Sequence, residues 1–256
     1  MECIKVQTED KIGTIALDSD AKRNALSKPL INECIGAFEL FRAEGVRAVV
    51  LRSSTAQKIW SAGHDIDERR RSNAALLPFD DSLEVLLRAV SDFPAPVIAM
   101  VQGSVWGGAC ELVMTCDMVF GDDTCAFAIS PTKLGLPYST ASALHVLNRL
   151  PLNIVMEMFC CAQPISAQRA LRVGLVNDLL PANDLESHVF DMARLISMRS
   201  PTVISSFKAM ARTIAKSAGM HLGIFDRIHE LRRQLYLGAD CGEAVRALVN
   251  KRNIKH

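Results

Sequence analysis

The stretch VIAMVQGSVWGGACEL at residues 97–112 decides the fold class, because it joins an apolar run to a glycine-rich turn and a helix. Val97–Val101 is uninterrupted by polar residues, which is typical of a strand buried on both faces of a sheet. The pair Gly107-Gly108 permits a tight turn, and residues 109–116 are predicted to be helical. A strand, a loop and a helix in this order predict one unit of an α/β fold.

The same plan occurs upstream of this stretch. Residues 46–51 form a second short apolar run and predict another buried strand. The preceding helix, 27–42, has apolar residues at three- and four-residue spacing, an N-cap at Ser27 and an end at Gly45. Further predicted strands are 11–17, 118–120, 126–129 and 175–180, and further predicted helices are 82–90, 166–174, 184–198, 201–217, 221–237 and 240–252.

Strands alternate with helices up to about residue 180, and only helices are predicted after it. This order predicts an α/β core, residues 1–195, followed by a C-terminal helical region, residues 196–256. Because the strand–loop–helix plan recurs loosely, a stacked architecture is favoured.

Composition limits the possible partners and the compartment. The 256 residues carry 29 basic and 28 acidic side chains, which gives no reason to propose nucleic acid or a membrane surface as a partner. The eight cysteines include no CxxC pair, and runs such as residues 158–162 predict small buried thiols in a reducing compartment. No signal-peptide pattern is present, and no apolar run reaches the ~18 residues that span a bilayer. A cytoplasmic protein is therefore expected.

Two loops follow the two apolar runs, at residues 60–66 and 102–111. Ligands commonly bind where such strands end, and glycine lets the backbone approach a ligand closely. Gly108 also opens a helix, where an unpaired N–H lies at the positive end of the dipole. Two such N–H groups on neighbouring loops would form an oxyanion hole, although a Gly-Gly pair alone is also typical of a simple tight turn.

Several short motifs follow one another along nearly the whole chain: KRNALS at 22–27, WSAGHDI at 60–66, PAPVIAMV at 94–101, the loop 103–111, Cys116-Asp117, LGLP at 134–137, ISAQRA at 165–170 and GLVN at 174–177. In this order they resemble the crotonase (enoyl-CoA hydratase/isomerase) superfamily. The resemblance implies a spiral of stacked ββα units with a C-terminal helical trimerisation region, and a homotrimer or a dimer of trimers. It also implies an acyl-coenzyme A substrate and no metal or redox cofactor, coenzyme A being part of the substrate.

The resemblance also implies how the substrate reacts. A thioester enolate is held by two backbone N–H groups, which fall on His64 and Gly108 by position. Hydratases of the superfamily use two glutamates, because water must be both deprotonated and oriented. The first matches Glu111, whereas Pro131, which has no proton to transfer, stands in the place of the second. Glu111 is then either an acid/base group or an acidic residue favoured by the helix dipole.

Three local strings, at residues 61–66, 103–109 and 130–138, resemble the branch of the superfamily that decarboxylates methylmalonyl-CoA. Loss of carbon dioxide needs the carboxylate held perpendicular to the thioester plane and the enolate oxygen stabilised. The Tyr138 hydroxyl is suited to orient that carboxylate, and Ser130 is expected to contact the acyl group or its carboxylate. The proton donor to the α-carbon is not indicated.

Catalytic roles are thus predicted for His64, Gly108, Tyr138 and Glu111. Two other functions stay open: an enoyl-CoA hydratase or isomerase that uses Glu111 alone, and a non-catalytic acyl-CoA-binding protein. The KRNALS motif and a lysine near the C-terminus also match segments that contact coenzyme A in the superfamily. The predicted substrate-binding residues are Lys22, Ala62, His64, Asp65, Ile66, Asp67, Glu68, Gly108, Ser130 and Lys251.

Overall fold

The computed structural model describes residues 2–55, 58–65, 82–135, 138 and 140–217. The predicted helices at 221–237 and 240–252 lie outside these residues. The strands are β1 Ile4–Glu9, β2 Ile12–Leu17, β3 Ala48–Ser53, β4 Ile59–Ser61, β5 Val97–Val101, β6 Ser104–Trp106, β7 Met118–Gly121, β8 Ala126–Ala128, β9 Ile165–Ser166 and β10 Asp178–Leu179. The α-helices are α1 Lys28–Glu44, α2 Ser82–Ser91, α3 Gly108–Thr115, α4 Thr140–Leu147, α5 Leu152–Cys161, α6 Ala167–Arg172, α7 Ala182–Ser197 and α8 Pro201–Ser217, with 3₁₀ helices at Asp20–Lys22 and Pro131–Leu134.

The strands form two sheets, and from β3 to β8 consecutive strands alternate between them. The larger sheet has the order β1-β2-β3-β5-β7-β10, and the smaller sheet has the order β4-β6-β8-β9. Each of the pairs β3/β4, β5/β6 and β7/β8 therefore contributes one strand to each sheet. This arrangement confirms the predicted α/β spiral of stacked units.

The prediction that residues 60–66 and 102–108 are simple loops was wrong in one respect. Each segment contains part or all of a short strand, β4 or β6, and the two strands pair in parallel. Three-residue strands within polar and glycine-rich segments show no alternation of their own. Their pairing depends on neighbours brought close by the larger sheet.

Two other differences have local causes. Strand β1 was not predicted, because it lies at the edge of the sheet and alternates weakly, with only Ile4 fully buried. The strand predicted at 175–180 is reduced to Asp178–Leu179. The N–H groups of Leu175 and Val176 instead bond to the Ala170 carbonyl at 2.9 and 3.3 Å, at the end of α6.

Helix α1 confirms the predicted signals at both ends. The Ser27 hydroxyl accepts a hydrogen bond from the Leu30 N–H at 3.5 Å, and Gly45 ends the helix with a φ of 65°. Such a positive φ favours glycine, which lacks the Cβ that clashes in this conformation. The buried face of the helix then packs on the main core.

The larger sheet is buried on both faces, as the uninterrupted apolar runs predict. Val49 and Leu51 of β3 point into the main core with α1, α2 and α3, whereas Ala48 and Val50 pack under α7 in a second core. Alternate strand residues face opposite sides of a sheet, so both faces must be apolar when both are covered. This burial holds the carboxyl ends of β3 and β5 in fixed positions.

The cysteines follow the prediction only in part. Cys34, Cys110 and Cys116 are buried as free thiols, as expected for small apolar side chains. Cys160 and Cys161 are exposed, although their apolar neighbours predicted burial. They lie on the last turn of α5, and the helix presents this part of its surface to solvent. Over the described ranges, no helix is long and apolar enough to cross a membrane.

Helix α8 is anchored to the core by a buried charge cluster. The Lys208 ammonium donates to Asp117 Oδ2 at 2.6 Å and to the carbonyls of Val90 and Ala95 at 3.3 and 3.0 Å. Arg212 donates to Asp117 Oδ1 at 2.8 Å. Because the Lys208 side chain is only 8% exposed, its charge depends on this carboxylate.

We expect Asp117→Asn to lower the free energy of unfolding by about 3 kcal/mol, because it leaves two cations without their shared carboxylate. Asp191→Asn is the matched control, since Asp191 pairs with Arg194 at 2.6 Å on the surface, where both side chains are more than half exposed. That change should cost less than about 0.5 kcal/mol. Chemical denaturation measures both values, and equal losses would contradict the assigned role of Asp117.

Candidate active site

The two predicted loops meet at glycines. Gly63 has a φ of 80°, and a Cβ added to it would lie 2.3 Å from the Trp106 carbonyl oxygen and 3.2 Å from the Gly108 nitrogen. Only a residue without a side chain allows these two backbones to approach so closely. The structure therefore brings the backbone next to His64 and the start of α3 together, as the sequence predicts.

The loop at residues 61–64 is fixed from the other side by Asn24. This buried side chain donates to the Trp60 carbonyl and to the Ser53 hydroxyl, both at 3.0 Å. The Ser61 hydroxyl donates to the Asn24 carbonyl at 2.6 Å and accepts from the Gly63 N–H at 3.2 Å. Asn24 and Ser61 belong to matched motifs, but the sequence did not assign them this positioning role.

Gly108 lies directly against the His64 side chain. A Cβ on Gly108 would be 2.5 Å from His64 Nδ1 and 2.8 Å from Leu83 Cδ2. Gly108 is the first residue of α3, where helix N–H groups have no partner within the helix. His64 and Gly108 are thus neighbours, with Leu83 of α2 as a third, and their roles in an oxyanion hole stay a prediction.

Glu111 lies one turn further along α3 and is only 3% exposed. Burial raises the pKa of its carboxyl group, while Ser142, His64 and Tyr138 oppose that rise and Glu84 adds to it. A buried carboxyl group holds its proton to a higher pH because the charged form is poorly solvated. Glu111 is consequently suited to carry a proton.

Tyr138 lies beside Glu111. Its ring packs edge-on against Phe159, with 5.3 Å between the ring centroids. Burial, followed by the Glu111 charge, raises the pKa of the phenol well above its ordinary value. Across the part of the chain that the structure describes, neither the Tyr138 hydroxyl nor Glu111 Oε2 makes a hydrogen bond of normal geometry. Both atoms are buried, and the Glu111 carboxyl group also interacts with His64.

Two further residues reach this cluster and were missed by sequence reasoning. Glu84, on the first turn of α2, has a buried carboxylate oxygen and raises the pKa of both Glu111 and Tyr138. Ser142, on α4, is 8% exposed and interacts with the Glu111 carboxyl group. Neither residue belongs to a motif, so only the packing of α2 and α4 against α3 reveals them.

The place of the second hydratase glutamate holds no carboxyl group. Pro131 begins the 3₁₀ helix Pro131–Leu134, immediately after Ser130. The Ser130 hydroxyl lies 3.9 Å from the position of a Cβ on Gly107, so it borders the start of α3. The predicted contact of Ser130 with an acyl group is compatible with this position.

The structure describes only some of the residues that are predicted to bind coenzyme A. The Lys22 ammonium lies 3.2 Å from Asp65 Oδ2, and its side chain is 61% exposed. The Ala62 N–H donates to the Arg23 carbonyl at 2.9 Å, which joins the two segments. Predictions for the remaining substrate-binding residues, Ile66, Asp67, Glu68 and Lys251, lie outside the described residues.

The raised pKa of Glu111 predicts a pH dependence of stability. A carboxyl group whose pKa is higher in the folded protein contributes stability that is lost as pH rises from its ordinary value, about 4.3, through the raised value. Glu111→Gln removes this loss. We therefore expect the free energy of unfolding of the variant, relative to the unmodified protein, to increase as the pH rises above about 5. The same difference in the free energy of unfolding between the two proteins at every pH would contradict this prediction.

Comparisons with known proteins agree with the geometry. The sequence profile of the enoyl-CoA hydratase/isomerase family matches residues 7–230. The methylmalonyl-CoA decarboxylase of Escherichia coli strain K12 is 35% identical over 97% of this chain and 95% of that protein. Mouse mitochondrial enoyl-CoA hydratase domain-containing protein 3 is 32% identical over 78% of this chain and 67% of that protein.

Solved structures give the same result. A methylmalonyl-CoA decarboxylase in complex with 2-nitronate-propionyl-CoA superposes with a TM-score of 0.93 at 34% identity, covering 99% of this chain and 97% of that one. Human enoyl coenzyme A hydratase domain-containing protein 3 gives a TM-score of 0.72 at 25% identity, covering 99% of this chain and all of that one. The chain belongs to the enoyl-CoA hydratase/isomerase family, the crotonase superfamily.

Proposed function

We propose that this chain decarboxylates methylmalonyl-CoA, or a similar malonyl-type acyl-CoA thioester, through a thioester enolate. The observation that carries the proposal is the buried Tyr138 hydroxyl beside Glu111, which lies one turn along α3 from the meeting point of His64 and Gly108. A phenol hydroxyl can donate a hydrogen bond to a substrate carboxylate and so fix its orientation. The name and ligand of the superposed decarboxylase, which covers nearly the whole chain, support the same reaction.

The enolate forms at the two loops. In the proposed step, the bond between the α-carbon and the carboxylate breaks, carbon dioxide leaves, and the electron pair moves onto the thioester oxygen. The backbone N–H groups of His64 and Gly108 donate to that oxygen as its charge develops. One such donor typically lowers the barrier by about 3 kcal/mol.

The surroundings of Tyr138 favour loss of the carboxylate. The raised pKa keeps the phenol protonated, so it acts as a hydrogen-bond donor to the substrate carboxylate. Glu111 and the Tyr138 hydroxyl are buried, and a poorly solvated substrate carboxylate beside them is destabilised relative to uncharged carbon dioxide. Decarboxylation consequently needs no carboxylate base to start.

A second activity, hydration, is favoured by one observation. Glu84 supplies a second carboxyl group near Glu111, although it comes from α2 and not from the place of Pro131. A hydratase needs one group to deprotonate water and one to protonate the α-carbon. An unsaturated acyl-CoA is therefore included as a substrate in the test.

The deciding experiment compares methylmalonyl-CoA with crotonyl-CoA on the full-length protein. Release of carbon dioxide and formation of propionyl-CoA from the first substrate are expected, without loss of the enoyl absorbance of the second. Hydration of crotonyl-CoA without decarboxylation would overturn the proposal in favour of a hydratase. Binding of both thioesters without reaction would favour a non-catalytic acyl-CoA-binding protein.

We further propose a homotrimer or a dimer of trimers in which residues 196–256 form the contacts, while Lys22 and Lys251 bind coenzyme A phosphates. An exposed apolar stripe on α8 supports the assembly: Val203, Phe207 and Met210 are each more than half exposed at helical spacing. Large exposed apolar patches commonly mark interfaces. Sedimentation equilibrium tests the mass, and a monomer would contradict the proposal.

A further inference from the structure

The N–H group of His64 belongs to a peptide unit whose carbonyl group is held from outside its own loop. The carbonyl of Gly63 accepts a hydrogen bond from the Leu26 N–H at 2.7 Å, and Leu26 pairs with His64 as an isolated parallel bridge. All described peptide bonds are trans. In a trans peptide unit the N–H points in the direction opposite to the carbonyl. The bond from Leu26 therefore directs the His64 N–H away from residue 26.

The corresponding peptide unit on the second loop is fixed locally. The Gly107 carbonyl, which precedes the Gly108 N–H in the chain, accepts a hydrogen bond from the Cys110 N–H of α3 at 2.9 Å. The partner of this carbonyl is thus only three residues away. The orientation of the His64 N–H, in contrast, depends on a segment far from it in sequence, residues 24–26.

Asn24 holds that segment against the loop. Its side-chain amide donates to the Trp60 carbonyl at 3.0 Å, and its own carbonyl accepts from the Ser61 hydroxyl at 2.6 Å. The Ala62 N–H donates to the Arg23 carbonyl at 2.9 Å, which extends the contact. Because Asn24 is only 1% exposed, water does not compete for these hydrogen bonds. The two segments are therefore held together along their length.

The side chain of Asn24 does more than permit an unusual backbone conformation. Its φ is 51° and that of Arg23 is 53°, so two consecutive residues other than glycine adopt the left-handed region. The Asn24 side-chain oxygen accepts from the Ser19 N–H at 2.8 Å, and its nitrogen donates to the Ser53 hydroxyl at 3.0 Å. These contacts hold the strained turn in place. Glycine would keep the conformation and lose the contacts, which separates the two roles.

We infer that Asn24 is a positioning residue that aims the His64 N–H at the thioester oxygen of the substrate. It acts through the hydrogen bond between Leu26 and the Gly63 carbonyl. The inference rests on the proposed function, because the charge to be stabilised is that of the enolate. The same hydrogen bond polarises the shared peptide unit, which makes its N–H a stronger donor. Since Asn24 acts through this peptide unit, its loss affects the transition state more than substrate binding.

Asn24→Gly tests the inference, because glycine allows the left-handed backbone but makes none of the side-chain contacts. We expect kcat for carbon dioxide release from methylmalonyl-CoA to fall about 30-fold, with KM within about threefold, since a misplaced donor weakens transition-state binding most. Ser61→Ala removes the hydroxyl that donates to the Asn24 carbonyl and should lower kcat about fivefold. This smaller change decides the question if Asn24→Gly does not fold.

Asn177→Ala is the matched control. The side-chain oxygen of Asn177 accepts from the Val119 N–H of β7 at 2.8 Å, so this asparagine also joins a loop to a strand. Its loss should lower the free energy of unfolding and leave kcat within about twofold. An equal fall of kcat in Asn177→Ala and Asn24→Gly would overturn the inference, as would full activity of Asn24→Gly or a change confined to KM.

A readout that needs no turnover is the carbon-13 resonance of bound propionyl-CoA labelled at its thioester carbonyl. Hydrogen bonds to a carbonyl oxygen move this resonance downfield. We expect a downfield shift on binding to the unmodified protein and to Asn177→Ala. The shift should be reduced by about half in Asn24→Gly, because one of two donors is misdirected. An undiminished shift in Asn24→Gly, or no shift in the unmodified protein, would overturn the inference.

The carbonyl resonance separates this inference from the proposed function. Absence of carbon dioxide release by the unmodified protein would overturn the decarboxylase. The role of Asn24 in directing a donor at the thioester oxygen would still be decided by the comparison of bound propionyl-CoA in the unmodified protein and in Asn24→Gly.

Discussion

Tyr138→Phe is expected to lower kcat for decarboxylation about 100-fold while leaving KM within about threefold, since positioning of the reacting group is lost but most binding contacts remain. The ring keeps its edge-on contact with Phe159, and only the hydroxyl is removed. The substrate carboxylate then has no fixed donor and samples orientations in which the breaking bond does not overlap with the thioester π system. Carbon dioxide release at saturating methylmalonyl-CoA measures the effect.

The same change should leave stability almost unaltered, which separates catalysis from folding. The Tyr138 hydroxyl is buried and makes no hydrogen bond of normal geometry among the described residues, so removing it costs no such hydrogen bond. Deleting an unsatisfied buried polar group is neutral or slightly stabilising. We therefore expect an unfolding free energy within about 0.5 kcal/mol of the unmodified protein, measured by chemical denaturation.

Phe159→Leu is the matched control for Tyr138→Phe, because it weakens the packing under the tyrosine ring but leaves the hydroxyl in place. It is expected to cost stability and to lower kcat much less than Tyr138→Phe does. Unchanged turnover in Tyr138→Phe would remove the hydroxyl from the mechanism. Equal losses of kcat in the two variants would show that the ring matters only through packing.

The large sheet and the first helix were predictable from sequence because their signals are local. The burial of β3 and β5 follows from uninterrupted apolar runs, and the ends of α1 follow from Ser27 and Gly45. Strands β4 and β6 lack such a signal. They are three residues long, and each exists because the other lies beside it in the smaller sheet. Pairing between distant segments can override a weak local propensity for strand. No local sequence pattern indicates such pairing.

The parts of the candidate site that consist of backbone were predictable from the sequence. Gly63, Gly107 and Gly108 mark loops where the chain must approach itself closely, and the structure brings these loops together. Side chains that arrive from other helices were not predictable in this way. Leu83 of α2 packs on Gly108, and Lys208 reaches Asp117 across 91 positions of sequence. Long-range packing, and not local pattern, places both.

Gly108→Ala is expected to lower kcat/KM about 1,000-fold. The added Cβ would lie 2.5 Å from His64 Nδ1 and 2.8 Å from Leu83 Cδ2, both too short for real contacts. The imidazole and the leucine must move. The N–H of residue 108 survives the change, but the added methyl group and the displaced imidazole are expected to crowd the space where the enolate oxygen would bind.

Stability should respond to Gly108→Ala much less than activity does. The clashing atoms belong to side chains that can rotate, and overpacking of this kind costs about 1–3 kcal/mol. Gly36→Ala is the matched control, because a Cβ at this position in α1 meets nothing within 4 Å. It should raise the free energy of unfolding by about 0.5–1 kcal/mol, through the better helix propensity of alanine, and leave kcat/KM unchanged. A folded Gly108→Ala protein with full activity would show that the enolate oxygen is not held between His64 and residue 108.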